Sequence, residues 1–263
     1  MNRPKTSIAT SFAYDCPLED LIPLIAEAGF TNVSLGAQEP HSSYLGDARR
    51  SGLRNLLLDC SLQMDTIHGK PLHLPQADST LAATVEAAAF LKVPIVVVHA
   101  GPFDLGPGDI HEHLEATLAT CEALTSILRD NGVKLALENV HPGPATDLVR
   151  RALDNLPGDI FGFCYDSSHD QMGGPKPFTL LEGLSDRLLA LHLSDRVREY
   201  VDHVIPGEGF IDWESLCGRI RNTDYGGPVT LEVLTEHSRV KERKEFVRLA
   251  FEQAARLYNL ASA

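Results

Sequence analysis

The chain has 263 residues, 43% hydrophobic and 22% charged, which excludes a disordered polyelectrolyte and leaves enough apolar material for a large core. Its formal net charge of −13 sets up a field that repels phosphate backbones, so nucleic acid is the disfavoured partner and a small molecule the favoured one. No apolar run reaches the roughly 18 residues a membrane-spanning helix needs.

Asp15, Glu19 and Asp20 come too early for a secretory signal core. The cysteines Cys16, Cys60, Cys121, Cys164 and Cys217 are odd in number, scattered and without a CxxC pair. Together these features predict a reduced, cytoplasmic protein with no disulfide framework. A homo-oligomer is compatible with the composition and is not required by it.

In chain order, short β-branched runs alternate with helical patterns. The expected strands are Ser7–Ala13, Asn32–Leu35, Gln63–His68, Pro94–His99, Val133–Glu138, Ile160–Tyr165, Leu188–Leu193 and Pro228–Val233. Runs such as PIVVVHA, VKLALEN and LLALHLS are apolar nearly throughout, as strands buried on both faces of a parallel sheet must be. Between them, LEDLIPLIAEAG reads as a helix stopped by Gly29, with Pro23 expected to kink it or shift its start. DSTLAATVEAAAFLK reads as a helix capped by Asp78 or Ser79, and HEHLEATLATCEALTSILRDNG as one ending at Asn131-Gly132. Further helices fit Asp47–Cys60, Ala145–Asn155, Phe178–Leu184, Trp213–Arg221 and Arg239–Leu260.

Eight such units average about 33 residues, the size of a βα repeat. No Pro/Gly/Ser linker divides them, so the expectation is an α/β fold, a (β/α)8 TIM barrel forming a single domain over residues 1–263. A doubly wound open sheet would place a glycine-rich loop after the first strand; SFAYDCPL contains no glycine there.

Position then singles out a set of polar residues. His68, His99 and Glu138 end their strands, Asp166 follows FGFCY with His169 three residues on, and His192 and Glu232 lie in LLALHLSD and PVTLEV. In a barrel all strand C-termini meet at one mouth, so groups scattered over about 165 residues would converge there. Burying an unpaired carboxylate in an apolar strand is costly, which marks Glu138 and Glu232 in particular. Imidazole and carboxylate without thiolate suit a divalent ion: Mn²⁺, Zn²⁺, Fe²⁺ or Co²⁺, with Mg²⁺ a further candidate. Such an ion would polarise a carbonyl and stabilise an ene-diolate oxygen, while a carboxylate near the adjacent carbon serves as general base.

At LALEN, YDSSH and LHLSDR…DHVIPGEGFIDW the sequence resembles the xylose isomerase-like barrel superfamily, and the resemblance runs from SFAYDCPLED to TLEV. That superfamily includes sugar and sugar-phosphate isomerases and epimerases, inosose dehydratase-like enzymes and the endonuclease IV family. The resemblance implies that Glu138, Asp166, His192 and Glu232 correspond to the metal site of the ketose 3-epimerases. There the ion grips two neighbouring sugar oxygens and one or both glutamates move a proton beside the carbonyl. His169 then has a substrate-contacting or metal-adjacent place, and Arg198, with Arg196 nearby, matches an arginine of that family. The second carboxylate that those epimerases place six residues after the strand-five glutamate is Pro144 here.

The implied function is a metal-dependent isomerase or epimerase of a sugar, sugar phosphate or polyol, and dehydration of a keto-polyol begins with the same step. The alternative is an endonuclease IV-like zinc phosphodiesterase. His68, His99, Glu138, Asp166, His169, His192, His203 and Glu232 match eight of that family's nine ligands; the ninth falls on Val201, with Asp202 offset by one. Gly69-Lys70-Pro71 also lacks the tyrosine that the DNA-repair family places after the first histidine.

His41, His73, His111, His113 and His237 read as surface or capping residues, and His141 as a possible substrate contact. Lys70, Arg196 and Arg198 lie on mouth loops, where they could hold hydroxyls or phosphate. Cys164 reads as a buried packing thiol, Trp213 as packing at the start of its helix, and the PGEGF glycines as a turn that returns His203 to the mouth.

Overall fold

Each apolar run condenses into a short parallel strand, and each strand is followed by a helix that covers its outer face. In this computed structural model, which describes residues 3–36, 38, 41–170, 177–200 and 202–262, the strands are β1 (Thr6–Ile8), β2 (Asn32–Leu35), β3 (Gln63–His68), β4 (Ile95–His99), β5 (Lys134–Glu138), β6 (Phe161–Asp166), β7 (Leu188–His192) and β8 (Val229–Leu231). The helices are α1 (Leu18–Ala28), α2 (Asp47–Asp59), α3 (Ala77–Leu91), α4 (Ile110–Asn131), α5 (Pro144–Asn155), α6 (Thr179–Gly183), α7 (Trp213–Arg221) and α8 (Arg243–Ser262). β2 to β7 pair consecutively, and β1 pairs with β8. Parallel bridges Ala9–Ser34 and Leu193–Leu231 join the two sets and close the barrel. The fold is the TIM barrel.

The last helix locks the first unit in place. Phe246 of α8 packs on Phe12 with ring centroids 5.5 Å apart, and Phe251 meets Phe30 edge-on at 5.4 Å. Gly29, at φ 113°, ends α1 where a side chain would strike the Phe251 ring, so both its conformation and its missing Cβ are required.

Several boundaries differ from the sequence expectation, each for a local reason. β1 stops at Ile8, and Thr10–Ala13 forms a 3-10 turn instead of continuing the strand. Pro23 lies inside α1 without shifting its start at Leu18. α3 begins at Ala77 after a left-handed Gln76, so neither Asp78 nor Ser79 is its cap. α8 begins at Arg243, because the stretch after Arg239 is an irregular crossing and not a first turn.

Alternation along the strands sorts the interior. Val97, Ala136, Cys164 and Ala190 form a small apolar layer inside β4 to β7. On the other side of the barrel, Ser7 and Thr230 donate to the buried Asp65 carboxylate at 2.6 and 2.8 Å, and Thr66 donates to Ser34 at 2.6 Å. A bulge opposite Val33 and Ser34 lets Asp65 and Thr66 both face inward. Two residues further along each of β4 to β7 comes the next inward position, and that layer is the mouth.

Candidate metal centre

Register puts the mouth residues side by side. His99 is the direct partner of Glu138 across β4–β5, and Asp166 that of His192 across β6–β7. His68 ends β3, and Glu232 follows β8 with its N–H bonded to the Leu193 carbonyl.

The side chains converge. His192 Nδ1 lies 3.0 Å from Glu138 Oε1 and 2.8 Å from Glu232 Oε2. The other oxygen of Glu138 is 3.1 Å from His68 Nε2 and 3.4 Å from His99 Nε2. Ligand atoms of Glu138, Asp166, His192 and Glu232 all fall within 4.8 Å of one another. Two further sets meet the same limit on its flanks: His68, His99 and Glu138 on one side, Asp166, His169 and His203 on the other. The eight candidate residues His68, His99, Glu138, Asp166, His169, His192, His203 and Glu232 therefore lie in one continuous cluster.

The polar accounting of this cluster fits a cation. Asp166 Oδ1 accepts from the Ser168 N–H, the Ser168 hydroxyl and the His169 N–H at 2.7, 2.9 and 3.0 Å, but Oδ2 is buried without a partner. His169 donates from Nδ1 to the Asn139 carbonyl at 3.1 Å, which leaves a buried, unpartnered Nε2. That is the tautomer a metal-binding imidazole needs, set by the hydrogen bond on its far nitrogen. A buried oxygen and nitrogen lone pair facing no donor are costly unless a cation supplies the missing partner.

The electrostatics point the same way. Burial pushes the Glu138 carboxyl up, but His192, His68 and His99 outweigh it and hold the pKa well below the carboxylate range. Burial likewise raises Glu232, and His192 overcomes it, leaving a pKa of about 2. Burial opposes charge on His192; the Glu232 and Glu138 carboxylates prevail and raise its pKa well above the imidazole range. In the metal-free cluster a proton on His192 thus does what a divalent ion would do, which is to neutralise two converging glutamates. Burial lowers the pKa of His169, keeping it neutral. Cys164, beneath Glu138 and His192, is pushed by burial to about 12 and stands as a neutral thiol.

The two glutamates are not equivalent. Glu138 is wholly enclosed, whereas 18% of the Glu232 side chain remains open to the mouth.

The arginines named from the sequence stay outside the cluster. Arg196 is buried, with Nη1 donating to the Ser168 and Asp170 carbonyls at 2.9 and 3.1 Å and its guanidinium stacked on Tyr200. Arg198 is exposed, and its backbone N–H donates to Asp202. Lys70 donates to the Pro75 carbonyl at 2.6 Å. Asp202 does not replace the missing ninth ligand: its Oδ2 accepts from the N–H groups of Val197, Arg198 and Glu199 at 2.6 to 3.0 Å. Val201 lies outside the described residues. His41 is buried, unlike the surface residue expected, and packs edge-on against Tyr14 at 5.2 Å.

Sequence reasoning missed the bracing residues. The Asn139 side chain bonds both the N–H and the carbonyl of Asp166, at 2.8 and 2.9 Å, while its own carbonyl orients His169. The Asp195 carboxylate accepts from Arg196 N, Gly207 N, Ile211 N and Trp213 Nε1 at 2.8 to 3.0 Å, folding the PGEGF turn back beneath His203. Gly209 is obligatory in that turn, since a Cβ would overlap the Arg196 carbonyl oxygen. Phe103 was also missed; its ring meets His99 and His169 at 5.2 and 5.6 Å. The signal for Asn139 was present, in a polar side chain directly after a buried strand-end glutamate.

Comparison with known proteins agrees with this geometry. An uncharacterised protein, y4fM, of Sinorhizobium fredii is 25% identical over 89% of this chain and 87% of its own length. A probable endonuclease 4 of Heliobacterium modesticaldum is 27% identical over 67% of this chain and 70% of its own. The crystal structure of a D-tagatose 3-epimerase-like protein superposes with a TM-score of 0.78 at 19% identity, covering 98% of this chain and all (100%) of that one. The model of the xylose isomerase-like TIM barrel family matches residues 22–251, and the chain belongs to that family.

Proposed function

We propose that the protein is a divalent-metal-dependent isomerase or epimerase of a sugar or polyol, moving a proton on the carbon beside a carbonyl. The observation that carries this reading is the convergence of Glu138, Asp166, His192 and Glu232 at the mouth, with Asp166 Oδ2 buried and unpartnered. These four residues would hold the ion. When bound, it supplies a Lewis acid for a substrate carbonyl and its neighbouring hydroxyl.

The residues divide the remaining work. Glu138, enclosed and facing three imidazoles, holds charge in place. Glu232, open to the mouth, is the base that can reach a substrate C–H. Its pKa of about 2 rests on a protonated His192. A neutral His192, the form that coordinates, gives up that charge; with a divalent ion in its place Glu232 stays ionised and so able to accept a proton. His68, His99, His169 and His203 flank the cluster, where they can bind a second ion or orient substrate hydroxyls. Enclosing the cluster among strand ends keeps bulk water from competing for the proton.

The test is turnover of ketohexoses and keto-inositols in D₂O. The expected result is deuterium on the carbon beside the carbonyl, abolished by chelation. Turnover without exchange would replace proton abstraction by hydride transfer or hydrolysis.

A second reading, a zinc phosphodiesterase, is supported by the two flanking sets and by the likeness to the probable endonuclease 4. It predicts three zinc ions per chain and cleavage of abasic-site DNA. The diversion of Asp202 to loop backbone and the net charge of −13 weigh against it.

A further inference from the structure

Eight large hydrophobic side chains are exposed among the described residues, and six of them rim the mouth: Tyr14, Leu45, Leu74, Phe103, Val197 and Phe210. The other two, Leu58 and Phe90, sit on α2 and α3. Exposed apolar groups gathered at one end of a barrel mark a binding surface, not chance.

One side of that rim is ordered into a continuous wall. Phe103, which touches His99 and His169 of the cluster, meets His141 at 5.1 Å, and His141 meets Tyr200 at 5.1 Å. The Arg196 guanidinium lies 4.3 Å over the Tyr200 ring and 5.1 Å over the Phe210 ring. Two backbone carbonyls fix the guanidinium there. Both ends of the wall are open, Phe103 being 37% and Phe210 54% exposed.

The contacts run from Phe103, beside the cluster, through His141 and Tyr200 to Phe210, so a substituent on a sugar held at the carboxylates would meet the outer end of the wall. The buried guanidinium fills the ring faces turned toward it, which leaves the open side of Phe210 to take another planar ring. Resting on the reading above, we propose that the substrate is a keto-glycoside with an aromatic aglycone, the carbonyl lying on a sugar ring carbon that faces the cluster and the aglycone ring stacking on Phe210 and the part-exposed Tyr200.

The test compares phenyl β-D-glucopyranoside with methyl β-D-glucopyranoside by isothermal titration against the Mn²⁺-loaded full chain, with saturation-transfer NMR to locate the contact. The phenyl glycoside should bind roughly fivefold or more tightly, with its aromatic protons receiving the strongest saturation. Phe210→Ala and Tyr200→Leu should each bring the ratio of the two affinities close to one, whereas Leu58→Ala, on α2, should leave it unchanged. Phe210 is largely exposed, so its variant is expected to fold, and a melting curve checks this. Equal affinities in the parent protein, or no saturable binding of the phenyl glycoside, would overturn the proposal. The outcome is separable from the proposed reaction: deuterium exchange on plain ketoses with no phenyl preference removes only the aglycone site. A phenyl preference with no metal-dependent exchange on any substrate removes the reaction instead.

Discussion

The barrel buries acids at two levels, and it treats them differently. At the lower level Asp65 is enclosed, but Ser7 and Thr230 each donate to one of its oxygens. At the mouth Asp166 keeps one oxygen without any donor, and Glu138 and Glu232 face only histidines and each other. Burial raises the Asp65 carboxyl and its two hydroxyl donors only partly oppose that, but each of its oxygens has a donor. The mouth carboxylates are held ionised by imidazoles that must themselves be charged to do so. Burial of an acid is thus not the mark of a site; burial without sufficient donors is. A cavity elsewhere in the barrel makes the same point. About 790 Å³ opens near Lys5, Arg54, Lys92 and Gly226, away from the strand C-termini, and none of the clustered residues lines it.

The largest expected break in this comparison is chemical. Glu232→Gln retains shape and one ligand oxygen but removes the base, and turnover should fall by at least about 10²-fold. Metal content measured on the same sample separates base from ligand, and a metal-loaded variant with normal turnover would remove Glu232 from the mechanism.

Asp166→Ala comes next. It should lose the tightly held ion and the stabilisation the ion confers, about 2.7 kcal/mol at a free-metal concentration 100 times Kd, read as a lower Tm in metal-containing buffer. With chelator present the variant and the parent should melt much closer together.

Asp65→Ala should produce the opposite pattern: a stability loss of about 1–3 kcal/mol from stranding two buried hydroxyls, with metal content unchanged. Its conservative counterpart sharpens the contrast. Because the folded pKa of Asp65 is raised, its contribution is fully present below the ordinary aspartate value and is lost as pH rises from there through the folded pKa. Asp65→Asn cannot ionise, so denaturant titrations across that acidic range should show a flatter stability profile than the parent. An identical profile would mean that Asp65 is ionised in the fold.

The smallest effect is a slope. In the metal-free protein burial opposes charge on both His68 and His192; Glu138 overcomes it at His68, and Glu232 and Glu138 do so at His192. Both must be neutral to coordinate, so metal binding releases protons, and affinity should rise with pH through those raised values. A pH-independent affinity would mean that neither histidine carries the proton in the free protein.

All eight strands and seven of the clustered side chains were legible because strand ends obey a short-range rule: an apolar run, then a metal-type side chain at the inward position. His99, Glu138 and His192 follow it directly. His203 was reached through the resemblance instead, since it sits on an irregular turn at φ 44° and answers to no periodicity. Asp65 was not legible, because the bulge at β2–β3 breaks the alternation that would have pointed it inward. The same holds for Arg196, whose sequence position on a mouth loop said nothing of the two carbonyls that fix it. The Phe103–Phe210 wall is assembled from three loops and has no signature in any one of them.

Whether the four mouth residues hold a metal ion is decided by metal content per chain, measured by mass spectrometry after exhaustive dialysis on the parent and on the His192→Ala and Asp65→Ala variants. The parent should carry one tightly held divalent ion and at most a second, weaker one through His68, His99 or His203; His192→Ala should lose the tight ion and Asp65→Ala should retain it in full. A parent that holds no ion, or an ion that survives His192→Ala undiminished, would contradict that assignment.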